Sequence, residues 1–232
     1  MTGSEALCRS GVCSLPVSVS TVAGAFGVKV VDYASFERSF SVTRQELYDN
    51  ASFSGFSMMV DGQFVCVLNT SLCHRARRRW TAAHELGHVL SGHISGERSF
   101  TTPEQEREAD LFAAELLAPL TVLHFCGVSS AMEIERLCGI SQQAAGYRFG
   151  ELSQLRRRQE NILRSGLGSL PVLSTDEIPV CSCPQSVFLS RDIDRELFMR
   201  FSPFISSYIS RRSAHDGYER YLKEVRREPM AI

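Results

Sequence analysis

Trp80-Thr81-Ala82-Ala83-His84-Glu85-Leu86-Gly87-His88-Val89-Leu90 has the pattern of a helix with one chemically equipped face. No proline interrupts the chain from about His74 to Ser91, and Trp80, Ala83, His84, Leu86 and Leu90 recur at helical spacings. His84 and His88 therefore project from the same face about one turn apart, and two imidazoles so placed can reach one zinc ion. Glu85 then lies beside the metal rather than on it, free to take a proton from water that zinc has made acidic. The bland alternative for a His-Glu-x-x-His run is a surface helix with ordinary histidines.

Working outward, Phe56–Val60 and Gln63–Leu68 flank Asp61-Gly62, a dipeptide that supplies the positive φ angles of a two-residue hairpin turn. Before them, Leu15, Val17 and Val19 lead through a small helix at Thr21 to Phe26, a stop at Gly27 and a β-branched strand at Val28–Val31. After the motif, Pro103 precedes a second helix running to about Ala118, where Pro119 halts it, and Phe112, Ala113, Leu116 and Leu117 mark its buried face. Further helices are predicted near Ala131 to Cys138 and Ser141 to Arg164. The expected class is α+β: helices around a small sheet, with the histidine motif on a central helix.

Ser165-Gly166-Leu167-Gly168-Ser169-Leu170-Pro171 reads as a linker. It divides the chain into residues 1–165, which carry the metal motif, and 166–232, a linker and smaller, mainly helical C-terminal region with no assigned role. Val187-Phe188-Leu189 predicts a strand there, and helices are predicted at Asp192 to Phe201, Pro203 to Arg212 and Tyr218 to Arg227, with Pro203 in a first helical position. Leu197, Phe198, Phe201, Phe204, Ile205 and Tyr208 recur at helical spacings, as either a core seam or an exposed docking stripe.

Composition limits the function classes. The 232 residues include 25 basic and 26 acidic side chains, so no global field would hold the chain to nucleic acid or to an anionic membrane. No apolar run approaches the roughly 20 residues that span a bilayer, and Met1-Thr2-Gly3-Ser4-Glu5 lacks a basic flank, so a cytoplasmic location is expected. The eight cysteines are then expected as thiols. Cys181-Ser182-Cys183 lacks the second pair a structural zinc site needs. The basic run His74-Arg75-Ala76-Arg77-Arg78-Arg79 opposes the dipole of its own helix, and is read as arginines pairing with acids of the second helix rather than as a nucleic-acid contact.

A catalytic zinc takes a third protein ligand. His93 follows His88 by five residues instead of the six of His-Glu-x-x-His-x-x-Gly-x-x-His, and Gly92 is displaced as well, so His93 reads as a helix-end histidine. Glu106 and Glu108 remain, about 200° apart around the second helix, so both cannot face the metal. Glu106 and Asp110 share a face at i and i+4. The helix dipole favours a solvated acidic first turn, the reading given to Glu104 and Glu108.

The spacing of Glu106 and Asp110 resembles the gluzincin arrangement, in which a glutamate binds zinc and an acid four residues later takes the N–H of a ligand histidine. More specifically, Arg77-Arg78-Arg79-Trp80-Thr81-Ala82-Ala83-His84-Glu85-Leu86-Gly87-His88 together with Glu106-Arg107-Glu108-Ala109-Asp110-Leu111-Phe112-Ala113-Ala114-Glu115-Leu116-Leu117-Ala118-Pro119 resembles the ImmA/IrrE family of zinc metallo-endopeptidases. The likeness extends more weakly to Ile140–Phe149 and covers roughly residues 15 to 155. It implies His84, His88 and Glu106 as ligands of Zn2+, Glu85 as the catalytic glutamate and Asp110 as support for a ligand histidine. Ala118 stands where the family usually has methionine. Tyr147 is a candidate donor to the developing oxyanion, with simple packing as the competing role. The resemblance further implies a protein substrate, a helix-turn-helix transcriptional repressor, with no membrane partner. The alternative function is a non-hydrolytic, metal-dependent regulator or partner-binding protein, which would have no need of Glu85.

Overall fold

The structure, a computed structural model, describes residues 1–41, 43, 45, 54–71, 74–94, 101–164 and 187–225. Helix α1 (Gly3–Ser10) begins at a capping box in which Thr2 and Glu5 satisfy each other's backbone N–H groups. Helix α2 (Val19–Ala25), capped by Ser18, leads into β1 (Lys29–Asp32). Asp32 then caps α3 (Tyr33–Phe40). Strands β2 (Gly55–Val60) and β3 (Gln63–Leu68) form the predicted hairpin around Asp61-Gly62. Neither α1 nor α3 was legible in the sequence.

The sheet has the order β1-β3-β2, antiparallel between β2 and β3 and parallel between β1 and β3. The central strand is buried on both faces. Cys66 and Leu68 join the main core with Ala82 and Leu86, whereas Val65 and Val67 face the opposite way and pack with Tyr33 and Phe36. This is the two-residue alternation of a strand turned to two separate apolar layers. One layer is α3, and the other contains the helix that carries the histidines.

That helix is α4 (Arg75–Leu90), and it lies against α5 (Pro103–Leu117). Gly87 permits the close approach: a Cβ there would stand 3.0 Å from Cδ1 of Phe112 and 3.2 Å from Cα of Ala109. Helices α6 (Leu120–Phe125), α7 (Ala131–Cys138) and α8 (Gln142–Arg164) follow. A 3-10 turn (Val187–Leu189) and the long α9 (Asp192–Val225) close the described chain. Among the described residues, no helix is long and apolar enough to cross a membrane.

Several expectations are corrected. Val187-Phe188-Leu189 is the 3-10 turn rather than a strand. Its buried Phe188 stacks on His124 with ring centroids 3.7 Å apart and planes at 5°, so packing against a helix replaces pairing with a strand. The helices predicted around Pro203 and from Tyr218 are one, because Pro203 lies inside α9. Phe201 and Ile205 are both buried in the core across that proline, and their packing offsets the backbone hydrogen bond that proline removes. The apolar stripe is a core seam: Leu197, Phe201 and Ile205 are buried, and Phe198, Phe204 and Tyr208 pack against them. The linker at residues 165–171 and the Cys181 to Cys183 pair lie outside the described residues.

The arginines of α4 also find other partners than expected. Arg77 donates to Ser54 Oγ, Arg78 to the Thr70 carbonyl, and Arg79 to the carbonyls of Val17 and Cys138. Among the described contacts none of these partners is an acid of α5. The start of α4 lies over the carbonyls of Val17, Thr70 and Cys138, and its guanidinium groups donate to them.

His124 sets an acid limit on stability. Burial pushes its pKa down to about 4, with Arg156 adding to the effect, and its buried Nδ1 has no hydrogen-bond partner. A histidine whose folded pKa lies below its unfolded value contributes no penalty above the unfolded value, near 6.5, but destabilises the fold as pH falls toward the folded one. The melting temperature of His124→Phe is therefore expected to fall less than that of the native chain between about pH 6.5 and 4. Parallel melting curves for the two proteins across that window would show that the ring is not buried neutral.

Candidate metal centre

The turns of α4 carry His84 and His88 on one side, and α5 brings Glu106 to them from its own first turns. Helix α5 is fixed at its start by Pro103 and by a capping box between Thr102 and Gln105. His84 Nε2 lies 3.0 Å from His88 Nε2 and 3.2 Å from Glu106 Oε2, and His88 Nε2 lies 3.5 Å from Glu106 Oε1. Two ligands bound tetrahedrally to zinc at about 2.0 to 2.1 Å stand about 3.3 Å apart, close to the spacing that the two imidazole nitrogens keep from each other and from the Glu106 carboxylate, which meets each of them with a different oxygen. Their identity, two imidazole nitrogens and one carboxylate oxygen, also suits zinc. Among the described residues, His84, His88 and Glu106 are the group whose ligand atoms converge.

The nitrogens facing away are also occupied. Asp110 Oδ1 is 2.9 Å from His84 Nδ1. His88 Nδ1 is 3.0 Å from His93 Nδ1, and His93 Nε2 is 3.0 Å from Glu108 Oε2. Glu108 is exposed as expected, with its side chain 64% accessible, and also meets the His93 ring. Gly92, at φ 74°, reverses the chain after α4, and the His93 N–H donates to the His88 carbonyl at 2.9 Å. This folds His93, 8% exposed, between His88 and the flank of α5 that bears Glu108. Glu108 is turned away from Glu106 as helix geometry requires, and it meets the imidazole instead of the metal position.

Glu85 is 9% exposed, and Ser57 Oγ on β2 donates to its Oε2 at 2.7 Å. Burial raises the Glu85 pKa above the ordinary carboxylate range, the Ser57 hydroxyl and His84 oppose that rise, and Glu106 adds to it. His88 is pushed down to about 4, first by burial and then by His84, against the pull of Glu106. Glu106 behaves differently: partial burial would raise its pKa, but the Thr101 hydroxyl and the two histidines outweigh that and hold it low. A His88 imidazole kept neutral beside an ionised Glu106 suits the binding of a cation.

Ser57 was missed in the sequence. Phe56 and Met58 pack toward Tyr33 and Phe36, so Ser57 faces the helical layer. A lone hydroxyl on the helix-facing side of an apolar strand was the available signal. Tyr147, by contrast, is 70% exposed on α8, and no described hydrogen bond or ring contact joins it to the histidine cluster. Its neighbour Arg148 is the residue that turns inward, donating to the Ala118 carbonyl.

Residues 40–149 match the model of a peptidase family described as the IrrE N-terminal-like domain, just under half of the chain. No curated protein matches it.

Proposed function

Since residues 40–149 belong to the IrrE N-terminal-like peptidase family, we propose that this chain is a zinc-dependent endopeptidase that cuts a helix-turn-helix transcriptional repressor in the cytoplasm. The observation that carries the reading is the convergence of His84, His88 and Glu106 beside a buried Glu85. Bound there, zinc would supply Lewis acidity, which polarises a peptide carbonyl and lowers the pKa of water to about 7.

The remaining work falls to the chain's own residues. Glu85 accepts a proton from water and returns it to the leaving amine, and its raised pKa brings it nearer the working pH of a general base. The Ser57 hydroxyl holds Oε2 and so fixes the plane of the carboxylate. Asp110 holds the N–H of His84 outward, which leaves Nε2 with its lone pair toward the ligand cluster. Strand β2 is an outer strand of the described sheet and carries Ser57 at the site, so an extended peptide segment has a strand edge to pair with beside Glu85. An intact base favours hydrolysis over a purely regulatory use of the metal.

Purified protein is expected to carry one equivalent of zinc by elemental analysis, lost from His84→Ala and Glu106→Ala and held about 10- to 100-fold more weakly by Asp110→Ala. The loaded protein is expected to cleave a repressor encoded beside its own gene, with chelation stopping cleavage and zinc restoring it. Cleavage indifferent to chelation, or a well-folded chain that takes up no zinc, would sink the proposal.

A further inference from the structure

We propose that His93 and Glu108 are positioning residues, which fix the tautomer and ring orientation of His88 through a chain of three hydrogen-bonded groups; the inference rests on the zinc reading above. His88 turns Nε2 toward His84 and Glu106 and Nδ1 toward His93 Nδ1, 3.0 Å away. A neutral imidazole carries a single N–H, so a lone pair on Nε2 requires the proton on Nδ1. That N–H donates to His93 Nδ1, which must then be the bare nitrogen. His93 is left with its proton on Nε2, 3.0 Å from Glu108 Oε2, a carboxylate oxygen placed to accept it.

Each link permits one arrangement of protons, and the terminal carboxylate selects it. Without Glu108 the chain can run backward. His93 Nδ1–H would then donate to His88 Nδ1, which would place the His88 proton on Nε2, where the ligand lone pair is needed. The burial of His93 matters here, because water that solvated the ring freely would stabilise either tautomer. The backbone bond from the His93 N–H to the His88 carbonyl, with the rings packed edge to face at 5.2 Å between centroids, holds the two imidazoles in register. The ligand histidines are thus oriented by different means: Asp110 acts on His84 directly, whereas Glu108 acts on His88 through an imidazole.

The test measures zinc dissociation constants of the full chain by competition with a chromophoric chelator, for the native protein, Glu108→Ala, His93→Phe and the double variant. Each single variant is expected to bind zinc about 10- to 100-fold more weakly. The double variant is expected to bind no more weakly than His93→Phe, because Glu108 acts only through His93. Nitrogen-15 NMR of the histidines in metal-free protein supplies a readout that loss of packing alone would not move: His88 protonated at Nδ1 in the native chain, and a mixture with the Nε2–H form in Glu108→Ala. Glu108 has a largely exposed side chain, so its variant reports even if His93→Phe folds poorly. Native affinity and an unchanged His88 tautomer in Glu108→Ala would overturn the relay. Equal weakening by Glu108→Ala in the native and His93→Phe backgrounds would overturn it too, since that is the behaviour of a charge acting through space. A native protein that binds no zinc would remove the metallopeptidase reading along with the relay, whereas zinc bound normally by both single variants would remove the relay alone.

Discussion

Glu85→Gln is expected to keep its zinc and to lose peptide hydrolysis by about 100- to 10,000-fold. The amide has the shape of the carboxylate, and its oxygen can still accept from Ser57 Oγ, which donates to Glu85 Oε2 at 2.7 Å. It cannot take a proton. The variant is also expected to be at least as stable as the native chain at neutral pH. Burial raises the Glu85 pKa, so the ionised form is the one the fold disfavours. A carboxylate with a raised folded pKa costs stability above its unfolded pKa, and a neutral isostere removes that cost. A cleavage assay, zinc analysis and a melting curve on one preparation separate the outcomes. Cleavage at the native rate would mean that another group is the base, and lost zinc would mean that Glu85 holds the site together instead.

Deleting residues from Leu170 onward is expected to leave an insoluble or unfolded chain rather than a peptidase with altered selectivity. The stripe on α9 allowed either outcome when read as sequence. In the structure Phe188, Leu197, Phe201 and Ile205 are buried in the same core as residues of α1 and α6. Arg212 adds a bond to the Gly127 carbonyl and an ion pair with Glu133. Phe201→Ala alone is expected to cost about 3 to 5 kcal/mol, a large share of the roughly 5 to 15 kcal/mol by which domains are stable. Denaturant unfolding of that variant, beside expression of the truncated chain, checks both statements. A soluble truncation that melts as the native protein does would show that α9 is an appendage. Substrate selection by the C-terminal region is better probed at exposed positions such as Met199 and Ile209, which can change without opening the core.

What the sequence determined alone was local. The four-residue spacing of His84 and His88 places both rings on one face of any helix that forms there, and the turn demands of Asp61-Gly62 place the hairpin within a residue. Proline at position 103 and the caps around it likewise set where α5 begins. The tertiary structure decided everything that depended on where separate elements meet. The parallel partner of β1 comes from beyond α3, and Ser57 reaches Glu85 across 28 residues of sequence. The stripe of α9 could be assigned to the core only once α1 and α6 were seen to cover it. His93 and Glu108 show the difference most sharply: motif spacing for the one and helix geometry for the other read both away from the ligand set, yet their contact with each other depends on the chain reversing at Gly92 and on α5 packing against α4 at Gly87. Helical period and turn chemistry repeat along the chain and can be read from it, whereas the distance between two elements is set by the side chains that fill the space between them.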